Sequence, residues 1–251
     1  MQSKWLTGLL SLSLIYSAYS WADKLPDIKQ RAEQGDIIAQ TDLGSKYALG
    51  NGVDKDYKLA QKWFLSAAQQ GNALAQYNLG LMYAHGDGIP ANSKAAAKWF
   101  LIAAEHGDIP AQFVIGSMYA NGDGVPRHYE KAFQWFLKAA ENGHADAQVN
   151  LGLMFIRGHG VSPNIDNAIK WFRLSAEQNN PIAQYQLGLC YLEGEGVAKN
   201  PEDAYLWLSL AAAQGYEEAH HFLNALEHEL TPAQIAEVQK KSAEWHNIHL
   251  K

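Results

Sequence analysis

Cysteine is almost missing from this chain of 251 residues: Cys190 stands alone, so no internal disulfide can form. The fold has to be held together by packing, even in an oxidising compartment. Runs of like charge and low-complexity segments are also missing. The net charge of −6 supplies no basic surface of the kind that nucleic acid or an anionic membrane requires. At 47% hydrophobic and 18% charged residues, the composition is that of a globular chain and not a disordered one. Beyond residue 22 no apolar run is long enough to span a bilayer, so the mature chain is expected to lack a membrane span. Catalytic signatures are scarce as well. No serine opens a Ser-x-x-Lys motif and no Gly-x-Ser-x-Gly occurs. The Gly-x-Gly turns fit neither a phosphate loop nor a dinucleotide fingerprint. No catalytic residue, cofactor or metal ligand is assigned on this reading.

What is present begins with a distinct N-terminus. Lys4 precedes an apolar stretch from Leu6 to Tyr19, and Ser20-Trp21-Ala22 places small residues at −3 and −1 before Asp23. This predicts a secretory signal peptide over 1–22, cleaved after Ala22, and a periplasmic or secreted mature protein. An uncleaved anchor is the alternative, since a stretch of roughly 17 residues nears the lower limit for a span. No cysteine lies nearby, which excludes a lipid-anchored bacterial lipoprotein.

The strongest signal is internal repetition at a period of 36 residues. Gly35 recurs as Gly71, Gly107 and Gly143, then as Asn179 and Gly215. Ala39 recurs as Ala75, Ala111, Ala147, Ala183 and Ala219. Leu43 becomes Leu79, Ile115, Leu151, Leu187 and Leu223, and Tyr47 becomes Tyr83, Tyr119, Phe155 and Tyr191. Trp63-Phe64 returns as Trp99-Phe100, Trp135-Phe136, Trp171-Phe172 and Trp207-Leu208. Each unit reads as two helices. Helix A covers about 36–49 in the first copy and stops at Gly50, the left-handed C-terminal position that glycine favours. Helix B starts after Asp56, Asn92, His128, Asn164 or Asn200, four of which are good N-caps.

A second glycine column, Gly44, Gly80, Gly116, Gly152 and Gly188, lies inside helix A. Each such glycine costs about 1 kcal/mol relative to alanine, so its recurrence means that no side chain fits. Close approach of helices A and B is expected there, with the Ala60 and Ala67 columns as the matching small surfaces. The tryptophans are expected in the core. The glutamines at 40, 76, 112, 148 and 184 are expected to hydrogen-bond to a neighbouring backbone. Cys190 shares a column with Met82, Met118 and Met154, so it reads as an apolar filler. These features divide the chain into a capping helix over 23–34, repeats at 35–70, 71–106, 107–142, 143–178 and 179–214, and a final part over 215–251. That last part holds an incomplete sixth repeat and a helix opened by the capping box Thr231-Pro232-Ala233-Gln234, running to about His246.

The pattern Ala-x-x-x-Leu-Gly-x-x-Tyr, Gly-x-Gly-Val, Ala-x-x-Trp-Phe-x-x-Ala-Ala resembles that of Sel1-like repeats, relatives of tetratricopeptide repeats, over about residues 27–230. The resemblance implies an all-α, right-handed solenoid of antiparallel helix pairs that serves as an adaptor or binding scaffold. It further implies the settings in which exported bacterial relatives work: host interaction, envelope regulation, polysaccharide export and neutralising of toxins by immunity proteins. Cysteine-rich relatives with a disulfide in each repeat carry a β-lactamase label, so a hydrolase acting on cell-wall material or β-lactams is the competing reading. The lone Cys190 does not carry that pattern over.

In such a solenoid helix A lines the concave face. Its varying positions are Leu74, Tyr77, Leu81, Ala84 and His85; Phe113, Ser117 and Asn121; Val149, Leu153, Ile156 and Arg157; Ile182, Tyr185, Leu189, Leu192 and Glu193; and His221, Ala225, His228 and Glu229. An apolar surface with an aromatic row and single polar tips suits an extended peptide or an amphipathic helix. It lacks the basic cluster that would clamp carboxylate or phosphate. The same residues would instead fill the inner wall if the superhelix is tightly curved. Of the ten histidines, His220, His221, His228, His246 and His249 gather near the C-terminus, either as surface residues or as a zinc site bridging the last two helices. The expectation is a monomeric, exported scaffold for one protein or peptide partner.

Overall fold

The computed structural model describes residues 25–249, so the signal peptide expected over 1–22 lies outside the described residues. Among these residues the regular elements are all helices, and the chain forms two compact units that divide between Ala91 and Asn92. The division falls in the loop between the two helices of the second repeat.

The N-terminal unit holds α1 (Leu25–Glu33), α2 (Ile37–Leu49), α3 (Tyr57–Gln69) and α4 (Ala73–His85), each packed on the next. The C-terminal unit runs through α5 (Ser93–Glu105), α6 (Ile109–Asn121), α7 (Tyr129–Glu141), α8 (Ala145–Arg157), α9 (Ile165–Glu177), α10 (Pro181–Glu193) and α11 (Pro201–Ala213). It ends with α12 (Glu218–Glu229) and α13 (Pro232–His249). Consecutive helices pack from α5 to α12, and α13 returns to pack on α11. Even-numbered helices up to α12 are therefore the A helices, and α3 to α11 in odd numbers are the B helices.

Both ends of each helix are set by side chains at fixed places. The B helices begin at Asp56, Asn92, His128, Asn164 and Asn200, every one accepting a backbone N–H; His128 does so through Nδ1 at 3.5 Å. The A helices have their own cap column in Asp36, Asn72, Asp108, His144 and Asn180. Each A helix from α2 to α10 stops at a glycine in the left-handed region, φ 75° at Gly50 for example, whose N–H returns to the carbonyl four residues back. The turn into helix B is fastened in turn, since the N–H groups of Asp56, His128, Asn164 and Asn200 donate to the carbonyls of Tyr47, Tyr119, Phe155 and Tyr191.

The glycine column inside helix A makes room for a ring and not for alanine. A Cβ on Gly44 would lie 2.7 Å from Phe64 Cδ1, and one on Gly116 would lie 2.9 Å from Phe136 Cδ1. Gly152 faces Phe172 and Gly188 faces Leu208 in the same way. The expectation that the Ala60 and Ala67 columns lie opposite is thus corrected: the large side chain beside the tryptophan occupies that space. These three rings and one leucine carry the core. Phe64, Phe136, Phe172 and Leu208 are sealed, whereas Trp63, Trp135, Trp171 and Trp207 remain half-buried. Full burial of such a side chain contributes about 1.5–3 kcal/mol.

The glutamine column acts as the sequence suggests. Nε2 of Gln40, Gln76, Gln112, Gln148 and Gln184 donates to the carbonyls of Ala32, Ala68, Ala104, Ala140 and Ala176 at 3.0–3.4 Å. Those carbonyls belong to the last turn of the preceding helix, where no intrahelical partner exists. At the C-terminus the capping box forms: Thr231 N–H donates to Gln234 Oε1 at 2.9 Å, and Gln234 N–H donates to Thr231 Oγ1 at 3.3 Å. Val238 of α13 is buried with Leu226 and Leu230, so this helix covers the end of the core.

Candidate functional site

In the N-terminal unit, α4 carries four of the predicted partner-binding residues. Leu74 and His85 are half-buried, but Tyr77 is only 8% exposed and Leu81 only 7%. These two belong to the packed interior and offer no surface to a guest. At the C-terminal end of α4, His85 Nδ1 lies 3.5 Å from Asp87 Oδ2.

In the C-terminal unit the predicted residues lie on α6, α8, α10 and α12. Phe113, Ser117, Leu153, Tyr185 and Leu189 are half-buried, while Asn121, Arg157, Glu193, His221 and His228 are exposed. Val149 is the exception here. It is 4% exposed, buried with Ile169, Leu187 and Cys190, and so it also fills the inner wall. Tyr77, Leu81 and Val149 are thus corrected from groove residues to residues of the packed interior, each closed off by its own local packing. Ile156 and Ile182, on the same helices, are 41% and 38% exposed.

Two aromatic groupings organise this surface. Phe113 stacks on His144 with centroids 4.5 Å apart, and burial pushes the imidazole of His144 below its ordinary pKa. Tyr185 lies 4.8 Å from Tyr216 and 6.1 Å from Phe222. Tyr216 and Phe222 are absent from the sequence-based assignment. Tyr216 was legible in principle, because it is the one residue in the column of helix caps with no side chain suited to capping.

The remaining chemistry is limited. Cys190 is buried, and burial together with Glu195 and Glu193 raises its thiol to about 11, which keeps it protonated and out of reach as a nucleophile. Among the described residues no three His, Cys, Asp or Glu side chains converge as a metal site; the side chains of His246 and His249 lie outside them. A cavity of about 340 Å³ opens beside α9, lined by Asp166, Lys170, Arg173 and Glu177 with Ile169, Leu174 and Val197. Its two acids and two bases offset each other, so it selects no charge.

Five consecutive segments, residues 37–72, 73–108, 109–144, 145–180 and 181–216, match the Sel1 repeat. The chain belongs to the Sel1 repeat family. Among solved structures, a protective antigen of uropathogenic Escherichia coli strains displaying an SLR fold is 36% identical. That likeness covers 88% of this chain and 49% of the antigen, with a TM-score of 0.79, so the chain spans about half the antigen's length. A Sel1 repeat protein from Oxalobacter formigenes is 34% identical over 75% of this chain and 79% of its own, with a TM-score of 0.71. No curated protein matches. Sel1 repeat proteins are protein-interaction scaffolds, and the Sel1 fold is typically non-catalytic. No helix among the described residues is long and apolar enough to cross a membrane.

Proposed function

We propose that this Sel1 repeat protein is an exported scaffold that holds one protein or peptide partner on the helix-A face of residues 92–251. The observation that supports this reading is a division between columns. Positions that hold one residue type in successive A helices are buried: Ala111, Ile115 and Gly116, then Ala147, Leu151 and Gly152, then Ala183, Leu187 and Gly188. The predicted groove positions that change from copy to copy stay accessible, Val149 apart, whereas the varying column of Met118, Met154 and Cys190 is apolar and buried. Ser117, Leu153 and Leu189 are half-buried, and Asn121, Arg157 and Glu193 are exposed. Burial fixes a column's identity, and the accessible columns are free to match the shape and charge of a guest. Ile156 and Ile182 add apolar area that a monomer leaves wet. Export rests on the N-terminal segment. A regulator of the envelope and an immunity protein both fall within this role, and the identity of the partner separates them.

Affinity capture from the envelope fraction, with mass spectrometry, tests the proposal when run with the mature chain and with Ile156→Asp plus Ile182→Asp. One partner should be retained by the parent protein and lost by the double variant, with the thermal melt unchanged because both side chains are exposed. Equal retention by both proteins would remove this face as the binding surface. Recovery of the protein from the cytoplasm with residues 1–22 still attached would refute export.

A further inference from the structure

The α10–α12 end of the helix-A face differs in kind from the α6–α8 end. Tyr185, Tyr216 and Phe222 form one half-buried group, their inner edges packed on the cluster that contains Leu208, Ala211 and Leu223. Tyr216 occupies the column that holds a capping side chain in the earlier copies, and α12 accordingly begins with no side-chain cap. A helix end has given up its cap and gained a ring. Two exposed carboxylates stand on the same elements: Glu218 two residues after Tyr216 at the start of α12, and Glu193 two turns along α10 from Tyr185. After the effect of burial, Glu218 and Glu193 both push the Tyr185 hydroxyl above its ordinary pKa, and Glu218 does the same to Tyr216. Their presence has unequal explanations. Glu218 lies in the first turn of α12, where the helix dipole favours an acid. Glu193 is the last residue of α10, where the dipole disfavours one, so helix stability gives no reason for it. At the other end Phe113 is stacked on His144 and the exposed charge at the column of Glu193 is Arg157.

Aromatic faces carry negative potential and attract cations, and nearby carboxylates strengthen the same field. We propose that Tyr185, Tyr216 and Phe222, with Glu193 and Glu218, form a subsite for a basic side chain, arginine or lysine, of the partner. This deepens the reading of the helix-A face as a partner-binding surface and rests on it. The subsite lies at one end of that face, with Arg157 on the next A helix. An extended partner is therefore received in one direction, its basic residue at α10–α12.

The test uses a blocked pentapeptide with a central arginine, and the same peptide with citrulline, which keeps the shape without the charge. Each is titrated against the full mature chain at pH 8; His221 lies edge-on to Phe222 at 5.4 Å and is left unchanged in both titrations. Resonances of Tyr185, Tyr216 and Phe222 should shift with the arginine peptide, and the citrulline peptide should bind at least about 5-fold more weakly. Glu193→Gln with Glu218→Gln should weaken the arginine peptide by about as much and leave the melt unchanged. Equal binding of the two peptides, no shift at the three rings, or indifference to the double variant would each overturn the subsite. Such a failure leaves the wider surface to be judged by the Ile156 and Ile182 variants, which lie outside the subsite.

Discussion

Replacing Asn142 by glutamine should stabilise the protein, and the reason lies in a second tier of the glutamine ladder. Gln70 donates from Nε2 to Oε1 of Gln40 at 2.8 Å, Gln178 does so to Gln148 at 2.8 Å, and Gln214 to Gln184 at 2.8 Å. The matching donor for Gln112 is Asn142, one methylene shorter. Its Nδ2 turns back to the carbonyl of Lys138 at 2.8 Å, and Oε1 of Gln112 is left buried with no hydrogen-bond partner. The backbone already suits the longer side chain: Asn142 has φ −90° and ψ 16°, against −85° and 14° at Gln178. A glutamine there need not surrender the bond to the helix either, because Gln178 keeps a 3.4 Å contact with the Leu174 carbonyl. One hydrogen bond to a previously unsatisfied buried acceptor is worth about 1 kcal/mol net, after the entropy of ordering one more rotor. In a chain of this size that is a rise of about 2–4 °C in Tm. Thermal and urea unfolding followed by circular dichroism measure it, and Gln178→Asn should lose a similar amount. Stability that is unchanged or lower in Asn142→Gln, with the new amide seated on Gln112, would refute the reasoning.

Gly44→Ala should lower stability by about 1–3 kcal/mol despite gaining about 1 kcal/mol of helix propensity, since the new methyl would lie 2.7 Å from the sealed Phe64 ring. Urea unfolding checks this, and a neutral or stabilising result would show that the ring can retreat. Burial pushes the Asp108 carboxyl up to about 6 from an ordinary 3.8, so the folded state binds its proton more readily than the unfolded one. That contribution to stability is complete below about pH 4 and is lost as pH rises through about 6. Asp108→Asn should therefore stabilise the protein by about 1 kcal/mol at pH 7 and little at pH 4, because asparagine also caps at the equivalent Asn72 and Asn180. Melts of both proteins across that range decide it; His144, whose pKa burial lowers, is common to both and drops out of the difference.

The repeat frame, the glycine stops such as Gly50, the capping box at Thr231 and the backbone role of the Gln40 column were all readable, because each depends on spacing within one or two turns. The Asp36 cap column is equally periodic but lies just before the apolar pattern that marks helix A. The mate of Gly44 was misjudged. A column of glycine says that something lies close by, and only the fold itself distinguishes the Phe64 ring from the alanines at 60 and 67. The inner wall was hardest. Whether Tyr77, Leu81 and Val149 face a guest or the packed interior depends on small rotations between neighbouring helices, which leave no mark on a 36-residue period.

The bond from each Gln40-type amide to the carbonyl of the preceding helix has a bearing on how such chains change length. Donor and acceptor stand at constant places eight residues apart, Gln148 and Ala140 for instance, across the seam between adjoining repeats. Cutting out or copying a whole repeat joins an intact donor to an intact acceptor, and the new seam closes as the old one did. A gain or loss inside those eight residues points the buried amide away from its acceptor, which then keeps only the N–H of the turn, Gly143 on Ala140 for instance. Growth by complete modules is the route that keeps every seam shut, and each added module brings one more varying strip of helix A with it.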